Sequence, residues 1–177
     1  MNRLRIKTTN KHHINFHFVP TKKFKTITVV AKLKAPLSRE TITKRALLPF
    51  VLQKGTESYA NEKQLQMKLD ELYGAQLHID ATKKGPYHII HFQIEFANER
   101  FIEQANHITD EALHLFHEVM FAPRIEAKSF NEQVVQREKK QLEHKIESIY
   151  DHKAAYANER LIDEMFANEP FALHTDG

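Results

Sequence analysis

Residues 45–56 read Arg-Ala-Leu-Leu-Pro-Phe-Val-Leu-Gln-Lys-Gly-Thr, an apolar stretch that closes with a lysine, a glycine and a threonine. Ile42, Ala46 and Phe50 recur at four-residue intervals, a spacing that predicts a helix with one apolar face. Pro49 has no backbone N–H to donate, so we expect this helix to be interrupted or bent at that residue.

Strands are predicted before this helix, because side chains on a strand point alternately to two faces. Apolar residues alternate with polar ones at Leu4 and Ile6, at Ile14, Phe16 and Phe18, and from Ile27 to Leu33. The last of these strands stops at the Ala35-Pro36 pair.

The rest of the chain predicts a helix, a hairpin and two long helices. The first helix runs from about Asn61 to Tyr73 and ends at a glycine, and the hairpin pairs residues 77–81 with residues 89–96. Phe101, Ala105 and Ile108 open a helix of about 24 residues, and a last helix runs from Lys128 to about Asn168 with a break near Asp151-His152. The order βββααββαα predicts an α+β fold with a largely antiparallel sheet and helices packed on one face.

The composition describes a compact chain without cysteine. A length of 177 residues with 41% hydrophobic and 28% charged residues is enough for one core and argues against disorder. The absence of cysteine excludes disulfides, thiolate metal sites and cysteine nucleophiles. The formal charge is only +3, and no apolar run reaches the length of a membrane span. We therefore expect a cytoplasmic protein with neither nucleic acid nor membrane as a partner.

Several stretches, in order, resemble the N-terminal part of the insulinase/pitrilysin family of zinc peptidases. In that family a β segment leads to a helix with an inverted His-x-x-Glu-His motif, followed by an apolar-Phe-Lys-Gly-Thr run. Lys54-Gly55-Thr56, the stretch Leu69–Thr82 and the helix from Arg137-Glu138-Lys139 to Ile146 match the family in that order. The resemblance implies an insulinase/pitrilysin-like (metallopeptidase LuxS-like) half.

Aligned by this resemblance, the chain lacks each zinc ligand and the catalytic glutamate of the family. The alignment places Ala46 and Phe50 at the two motif histidines, Pro49 at the catalytic glutamate and Lys145 at the third metal ligand, a glutamate in the family. A catalytic zinc needs about three ligands with lone pairs, and an ammonium group repels the ion. The resemblance therefore implies an inactive homologue without a catalytic residue, metal ligand or cofactor.

Histidine pairs offer a different metal site, and each has a plainer interpretation. His114 and His117, followed by Glu118, could hold an ion on a helix, but the order fits neither zinc motif, and a solvated helix face is the plainer interpretation. His88 and His91 fall on the predicted strand that includes residues 89–96. A spacing of three residues places their rings on opposite faces of a strand, so they cannot share one ion. We expect His12, His13 and His17 to be exposed strand residues. Lys140, Glu143 and His144 resemble the inverted motif with lysine in place of its first histidine, and we interpret this match as accidental.

Within the family, the chain is most similar to the bacterial group associated with elongation factor P aminopentanol modification. We expect residues 1–177 to be an incomplete N-terminal peptidase-homologue domain that lacks C-terminal strands and the second half. Its expected role is that of a structural or regulatory subunit beside an active zinc peptidase homologue, with self-association as a further possibility. Two alternatives stay open: an active metallopeptidase with a non-standard or partner-supplied metal site, and an unrelated interaction module.

Overall fold

The structure, a computed structural model, describes residues 5–103 and 107–177. Strands and helices follow one another as the sequence predicts, and the α+β class is confirmed. The elements are β1 Lys7–Lys11, β2 Ile14–Phe18, β3 Thr26–Pro36, α1 Ile42–Leu52, α2 Glu62–Glu71, β4 Gln76–Lys84, β5 Tyr87–Ala97, α3 Ile108–Phe121, α4 Glu132–Glu147 and α5 Lys153–Met165. Short 3-10 turns lie at Glu99–Phe101, Ser148–Asp151 and Pro170–Ala172.

An antiparallel sheet of order β3-β5-β4 forms the centre of the molecule. In its register Val29 pairs with Ile94, and Ile79 pairs with Phe92. Every second residue of β5 is buried, from His88 to Phe96. This period of two gives the sheet one apolar face, and the helices cover it.

The core forms where α1, α2 and α3 pack on that face. Their buried side chains recur at helical spacing, so each helix turns one stripe toward the sheet. The cluster comprises Leu52, Leu65, Leu69, Leu72, Ala75, Ile79, Ile90, Phe92, Ile94, Phe96, Ile108, Ala112, Leu115, Phe116 and Val119.

The first two strands form a separate hairpin. β1 and β2 pair with each other over Lys7–Lys11 and Ile14–Phe18, and no other strand of the described residues pairs with them. The first strand was expected at Leu4 and Ile6; it begins instead at Lys7, and Leu4 lies outside the described residues.

The hairpin turn consists of His12 and His13, both of which have positive φ angles of 50° and 64°. Two successive positive φ angles match the right-handed twist of a tight hairpin. The expectation that these two histidines are strand residues was therefore wrong.

The predicted 24-residue helix is shorter than expected. Asn98 caps a 3-10 turn by accepting a hydrogen bond from the Arg100 amide, and α3 begins only at Ile108, after His107 with a φ of 70°. The side-chain cap and the left-handed residue set separate boundaries that the apolar period does not reveal. Ala105 lies outside the described residues.

The last helical region also starts later than predicted. Ala127 and Lys128 have positive φ angles, and Asn131 caps α4 by accepting a hydrogen bond from the Val134 amide at 3.2 Å. The expected break is confirmed, since a 3-10 turn at Ser148–Asp151 separates α4 from α5. No helix in the described part of the chain is long and apolar enough to cross a membrane.

Pro49 does not interrupt α1, which runs from Ile42 to Leu52. The Pro49 ring is buried, and its carbonyl accepts a hydrogen bond from the Gln53 side chain at 2.9 Å. Packing of the helix on β4, β5 and α4 offsets the one missing backbone hydrogen bond.

Candidate functional site

One face of helix α1 packs against helix α4. There the Lys145 ammonium lies 5.9 Å from the centroid of the Phe50 ring. Ala46 and Pro49 lie one turn or less along the same helix, and both are buried. We call these four residues, Ala46, Pro49, Phe50 and Lys145, the α1–α4 junction.

The α1–α4 junction offers no ligand for a zinc ion. Ala46, Pro49 and Phe50 present only hydrocarbon side chains, which have no lone pairs. The Lys145 ammonium forms an ion pair with Asp176, with 2.8 Å between Nζ and Oδ2. A dication would meet apolar atoms and a positive charge, so a zinc ion like that of the active peptidases the sequence resembles does not fit here.

Neighbouring carboxylates on α4 do not replace the missing ligand. Glu143 and Glu147 are exposed, and Glu147 lies 3.7 Å from His144. Glu138 is fully buried, but Arg137 contacts its Oε1 at 2.8 Å and Lys54 lies 3.7 Å from the same oxygen. Glu138 therefore contacts Lys54, just beyond the end of α1, and not the residues of the junction.

The loop after α1 contains a buried polar network that the sequence did not predict. The buried Thr56 hydroxyl donates to Glu118 Oε2 at 2.9 Å, and the Ser58 hydroxyl donates to the other carboxylate oxygen at 2.6 Å. Together with the contacts of Lys54 to Glu138, these bonds tie the loop to α3 and α4. We call Lys54, Thr56, Glu118 and Glu138 the polar frame.

Gly55 lies between Lys54 and Thr56 of the polar frame and has a backbone conformation that other residues rarely adopt. Its φ is 151°, and a Cβ built on it would lie 2.8 Å from the Tyr59 carbonyl oxygen. A side chain would therefore collide with rigid backbone, and only glycine fits without a shift. The Lys54-Gly55-Thr56 sequence thus has a structural reason that does not involve catalysis.

The alternative metal pair on α3 lies at the surface. The His114 side chain is 72% exposed and its Nδ1 lies 3.6 Å from Glu118 Oε1, while the His117 ring packs on Phe121. Both oxygens of Glu118 already accept hydrogen bonds from the loop after α1. Within residues 5–103 and 107–177, no three His, Asp or Glu side chains are placed to hold one ion.

His88 and His91 point to opposite faces of β5, as expected. His88 is fully buried, and its Nδ1 accepts a hydrogen bond from Arg45 Nε at 3.3 Å. Burial and the nearby Arg45 charge lower the pKa of His88. His91 instead lies 3.0 Å from Asp80 on the outer face of the sheet.

The remaining sequence candidates do not converge on a site. His17 contacts Thr8 within the hairpin, and His12 and His13 form its turn. Lys140, Glu143 and His144 lie on the exposed face of α4.

The structure adds one cluster, around His174, that the sequence did not reveal. The two ring nitrogens of His174 lie 2.9 Å from Glu159 and 2.8 Å from Asp163, and the contact with His174 lowers the pKa of Asp163. The carboxylates approach opposite nitrogens, so they cannot share one ion with the ring. Lys83 donates to the carbonyl oxygens of Phe171 and Leu173.

An open pocket of about 720 Å³ separates this cluster from α4. It lies beside the junction, since Lys145 and Asp176 line it together with His174, Tyr150 and Tyr156. The contacts of Lys83 with Phe171 and Leu173, and of His174 with Glu159, join residues far apart in the sequence, so no local period or motif signals them.

This α+β arrangement, with no zinc ligand among the four residues of the α1–α4 junction, is similar to a protein named as an inactive metalloprotease. The chain is 44% identical over 161 residues to the protein of Bacillus subtilis (strain 168) named Probable inactive metalloprotease YmfF. The match covers 91% of this chain and 38% of the relative, so the chain spans well under half of that protein. No protein-family model matches the chain.

A solved structure shares the fold. The crystal structure of a conserved protein from Enterococcus faecalis V583 superposes with a TM-score of 0.85 at 34% sequence identity. The superposition covers 92% of this chain and 38% of the other.

Proposed function

We propose that this chain is the N-terminal part of a noncatalytic zinc-peptidase homologue of the insulinase/pitrilysin type. Its role is that of a structural or regulatory subunit beside an active member of the same family. The similarity to a probable inactive metalloprotease supports the noncatalytic half of this proposal. The resemblance of Lys54-Gly55-Thr56 and of α4 to the family supports the peptidase half.

The observation that carries the proposal is the contact between Phe50 and Lys145. In the register of the family resemblance, Phe50 stands for the second histidine of the motif and Lys145 for the carboxylate ligand. These residues are 95 positions apart in the chain, yet the Lys145 ammonium lies 5.9 Å from the Phe50 ring. The proposed ligand positions are thus close in space and carry side chains that cannot bind zinc.

The chemistry of hydrolysis would fail at two steps in such a site. Without metal ligands, no ion lowers the pKa of a bound water. Pro49, at the position of the catalytic glutamate, cannot accept the proton of an attacking water. What the chain retains is the scaffold: a sheet, its covering helices and the polar frame.

A noncatalytic subunit of this kind needs a partner that retains the zinc ligands and the catalytic glutamate. The bacterial group linked to elongation factor P aminopentanol modification, to which the chain is most similar in the family, is usually encoded beside an intact zinc-peptidase homologue. We propose such a homologue as the partner, located in the cytoplasm. The 44% identity with YmfF argues against an unrelated interaction module.

Co-expression with a neighbouring homologue that contains His-x-x-Glu-His tests the proposal. The two chains should purify together, and cleavage of a peptide library should disappear when the glutamate of the partner's motif becomes glutamine. Substitutions of His114 and His117 in this chain should leave the cleavage rate unchanged. Cleavage by this chain alone that is lost on substituting His114 would overturn the proposal and favour an active metallopeptidase.

A further inference from the structure

A pocket of about 380 Å³ lies where the loop after α1 meets the loop between α3 and α4. Backbone hydrogen bonds join the two loops: the Arg124 amide donates to the Gly55 carbonyl at 3.2 Å, and the Glu57 amide donates to the Ala122 carbonyl at 3.0 Å. The first turns of α4 form another wall. The volume lies in the range of ligand sites in proteins. We call this cavity the loop pocket.

Most of the ionisable side chains that line the loop pocket are basic. Lys54, Arg124 and Arg137 line it together with one acid, Glu126. The Glu126 carboxylate is already engaged, since Asn131 donates to its Oε2 at 2.9 Å and Arg124 lies 3.1 Å from its Oε1. The pocket therefore favours a negatively charged ligand.

Arg137 offers the hydrogen-bond donors that such a ligand needs. Its Nε donates to Oε1 of the fully buried Glu138 at 2.8 Å, while its own side chain is 56% exposed. In the described part of the chain, neither terminal nitrogen of Arg137 takes part in a hydrogen bond or ion pair. The buried carboxylate thus orients the guanidinium plane, and both terminal nitrogens are free for a bidentate contact.

The other two cations of the loop pocket have partners of their own. Lys54 donates to both oxygens of the exposed Glu62, at 3.0 and 3.1 Å. Arg124 donates to the Ala60 carbonyl and pairs with Glu126. These two residues add positive potential, and we assign the direct contact with the ligand to Arg137.

An apolar wall lies beside the Arg137 guanidinium. Val134 precedes Arg137 by three residues on α4, so the two side chains share one face of the helix. The buried Val51 and the half-buried Phe130 also line the pocket. Because the positive charge and the apolar surface adjoin, the ligand that fits has an apolar group next to its negative charge.

A carboxylate fits the loop pocket better than a phosphate dianion. The buried Glu138 lies behind the cations, 2.8 Å from Arg137 and 3.7 Å from Lys54, and its negative charge offsets part of theirs. A phosphate would also place polar oxygens against the apolar wall, where they have no donors. A carboxylate has a single charge, two oxygens that match the guanidinium fork, and a carbon bond that continues toward the apolar wall.

We propose that the loop pocket binds a carboxylate joined to an apolar side chain, as at the C-terminus of a polypeptide that ends in leucine. The carboxylate oxygens accept hydrogen bonds from the two terminal nitrogens of Arg137. The apolar side chain packs on Val51, Phe130 and Val134. The site shares no residue with the α1–α4 junction, so it does not depend on the noncatalytic role proposed above.

A short peptide tests this proposal. The probe is acetyl-Ala-Ala-Leu with a free C-terminal carboxylate, and its control is the same peptide with a C-terminal amide. In an NMR titration of the chain, the acid should shift backbone amide signals of residues 54–60 and 130–137. The amide should bind about tenfold more weakly or worse, a loss of about 1.4 kcal/mol. A peptide that ends in glycine should bind about fivefold more weakly, because it buries no apolar side chain.

Two variants locate the site. Arg137→Lys keeps the charge but removes the planar fork, so it should weaken binding of the acid about tenfold. Arg160→Lys is the matched control, because Arg160 is 53% exposed, pairs with Glu164 and does not line the loop pocket, and it should change the affinity less than about twofold. Val134→Asn should weaken the leucine peptide more than the glycine peptide. Circular dichroism checks that each variant is folded.

Three results would overturn the proposal. The first is equal affinity for the acid and the amide, or no binding of either. The second is an equal effect of Arg137→Lys and Arg160→Lys, or signal shifts confined to other regions. The third is tighter binding of inorganic phosphate than of the acid. Acetyl-leucine distinguishes two sources of the carboxylate: an affinity equal to that of the peptide supports a small acid as the ligand, and a lower affinity supports the end of a polypeptide.

Discussion

The loop after α1 and the α1–α4 junction within the helix differ in the way their polar groups are arranged. Just beyond the C-terminal end of α1, Thr56 is fully buried and bonded to Glu118, and Lys54 lies within 4 Å of Glu138. At the α1–α4 junction, Ala46 and Pro49 are buried hydrocarbon, and the half-exposed Lys145 pairs with Asp176. The side chains of the polar frame stabilise the fold through hydrogen bonds and ion pairs. The side chains of the junction cannot bind zinc.

This difference separates the demands of folding from those of catalysis. Removing one partner from a buried hydrogen-bonded network leaves the other unsatisfied, at about 1–3 kcal/mol for each group. Replacing a ligand set by packed hydrocarbon costs no such penalty, since no polar group is left behind. A chain can therefore lose a metal site and keep the scaffold around it.

Glu118→Ala should have the largest effect on stability. It leaves the buried Thr56 hydroxyl without its acceptor and removes the bond from the exposed residue Ser58, so we expect the free energy of unfolding to fall by about 3 kcal/mol. Chemical denaturation measures this change. Glu143→Ala on the exposed face of α4 serves as the control and should cost less than about 0.5 kcal/mol. Equal effects of the two substitutions would remove the distinction between the polar frame and the surface.

Gly55→Ala should follow, with a loss of about 2 kcal/mol, because its Cβ meets the Tyr59 carbonyl. Gly85→Ala is the matched control, since Gly85 also has a positive φ but no heavy atom within 4 Å of the position that a Cβ would take. The control should cost about 1 kcal/mol. Thermal unfolding of both variants compares them, and a smaller loss at Gly55 than at Gly85 would contradict the proposed collision.

The sequence predicted the sheet and the order of elements, because strand and helix periods are local. The family resemblance also singled out Phe50 and Lys145, whose side chains lie near each other in the fold. The sequence did not predict Glu118 as an acceptor for Thr56, because residues 62 positions apart meet only after folding. It missed the His12-His13 turn as well, since two successive positive φ angles are unusual without glycine.

His88 should make stability depend on pH. Its pKa is lowered in the folded chain, so below the ordinary histidine value of about 6.5 the unfolded chain binds a proton that the buried ring does not. Above that pH the residue contributes no dependence; below it, stability falls by up to about 1.4 kcal/mol per pH unit until the lowered pKa is reached.

The groups that face His88 favour the neutral ring. Arg45 donates to its Nδ1, and Asp176 with the Thr175 backbone only partly offsets the cost of charging it. The variant His88→Gln should therefore lose less stability than the wild type between pH 7.5 and pH 5.5, and this difference is measured by urea unfolding at each pH. Parallel curves for the two proteins would refute the assignment.

Lys145→Ala should have the smallest effect. Its ion pair with Asp176 is half exposed, and exposed pairs contribute about 0–1 kcal/mol. We expect a change in unfolding free energy below about 1 kcal/mol, measured in the same denaturation series as Glu118→Ala. A loss as large as that of Glu118→Ala would show that the junction, too, is held by buried polar bonds.

Zinc content tests the central claim most directly. Tag-free wild-type protein, dialysed against zinc and then against buffer, should contain far less than one zinc per chain by elemental analysis. The variant Ala46→His/Phe50→His/Lys145→Glu, shown to be folded by circular dichroism, should gain about one zinc per chain. Stoichiometric zinc in the wild type, or a folded variant that binds none, would contradict the account of the α1–α4 junction.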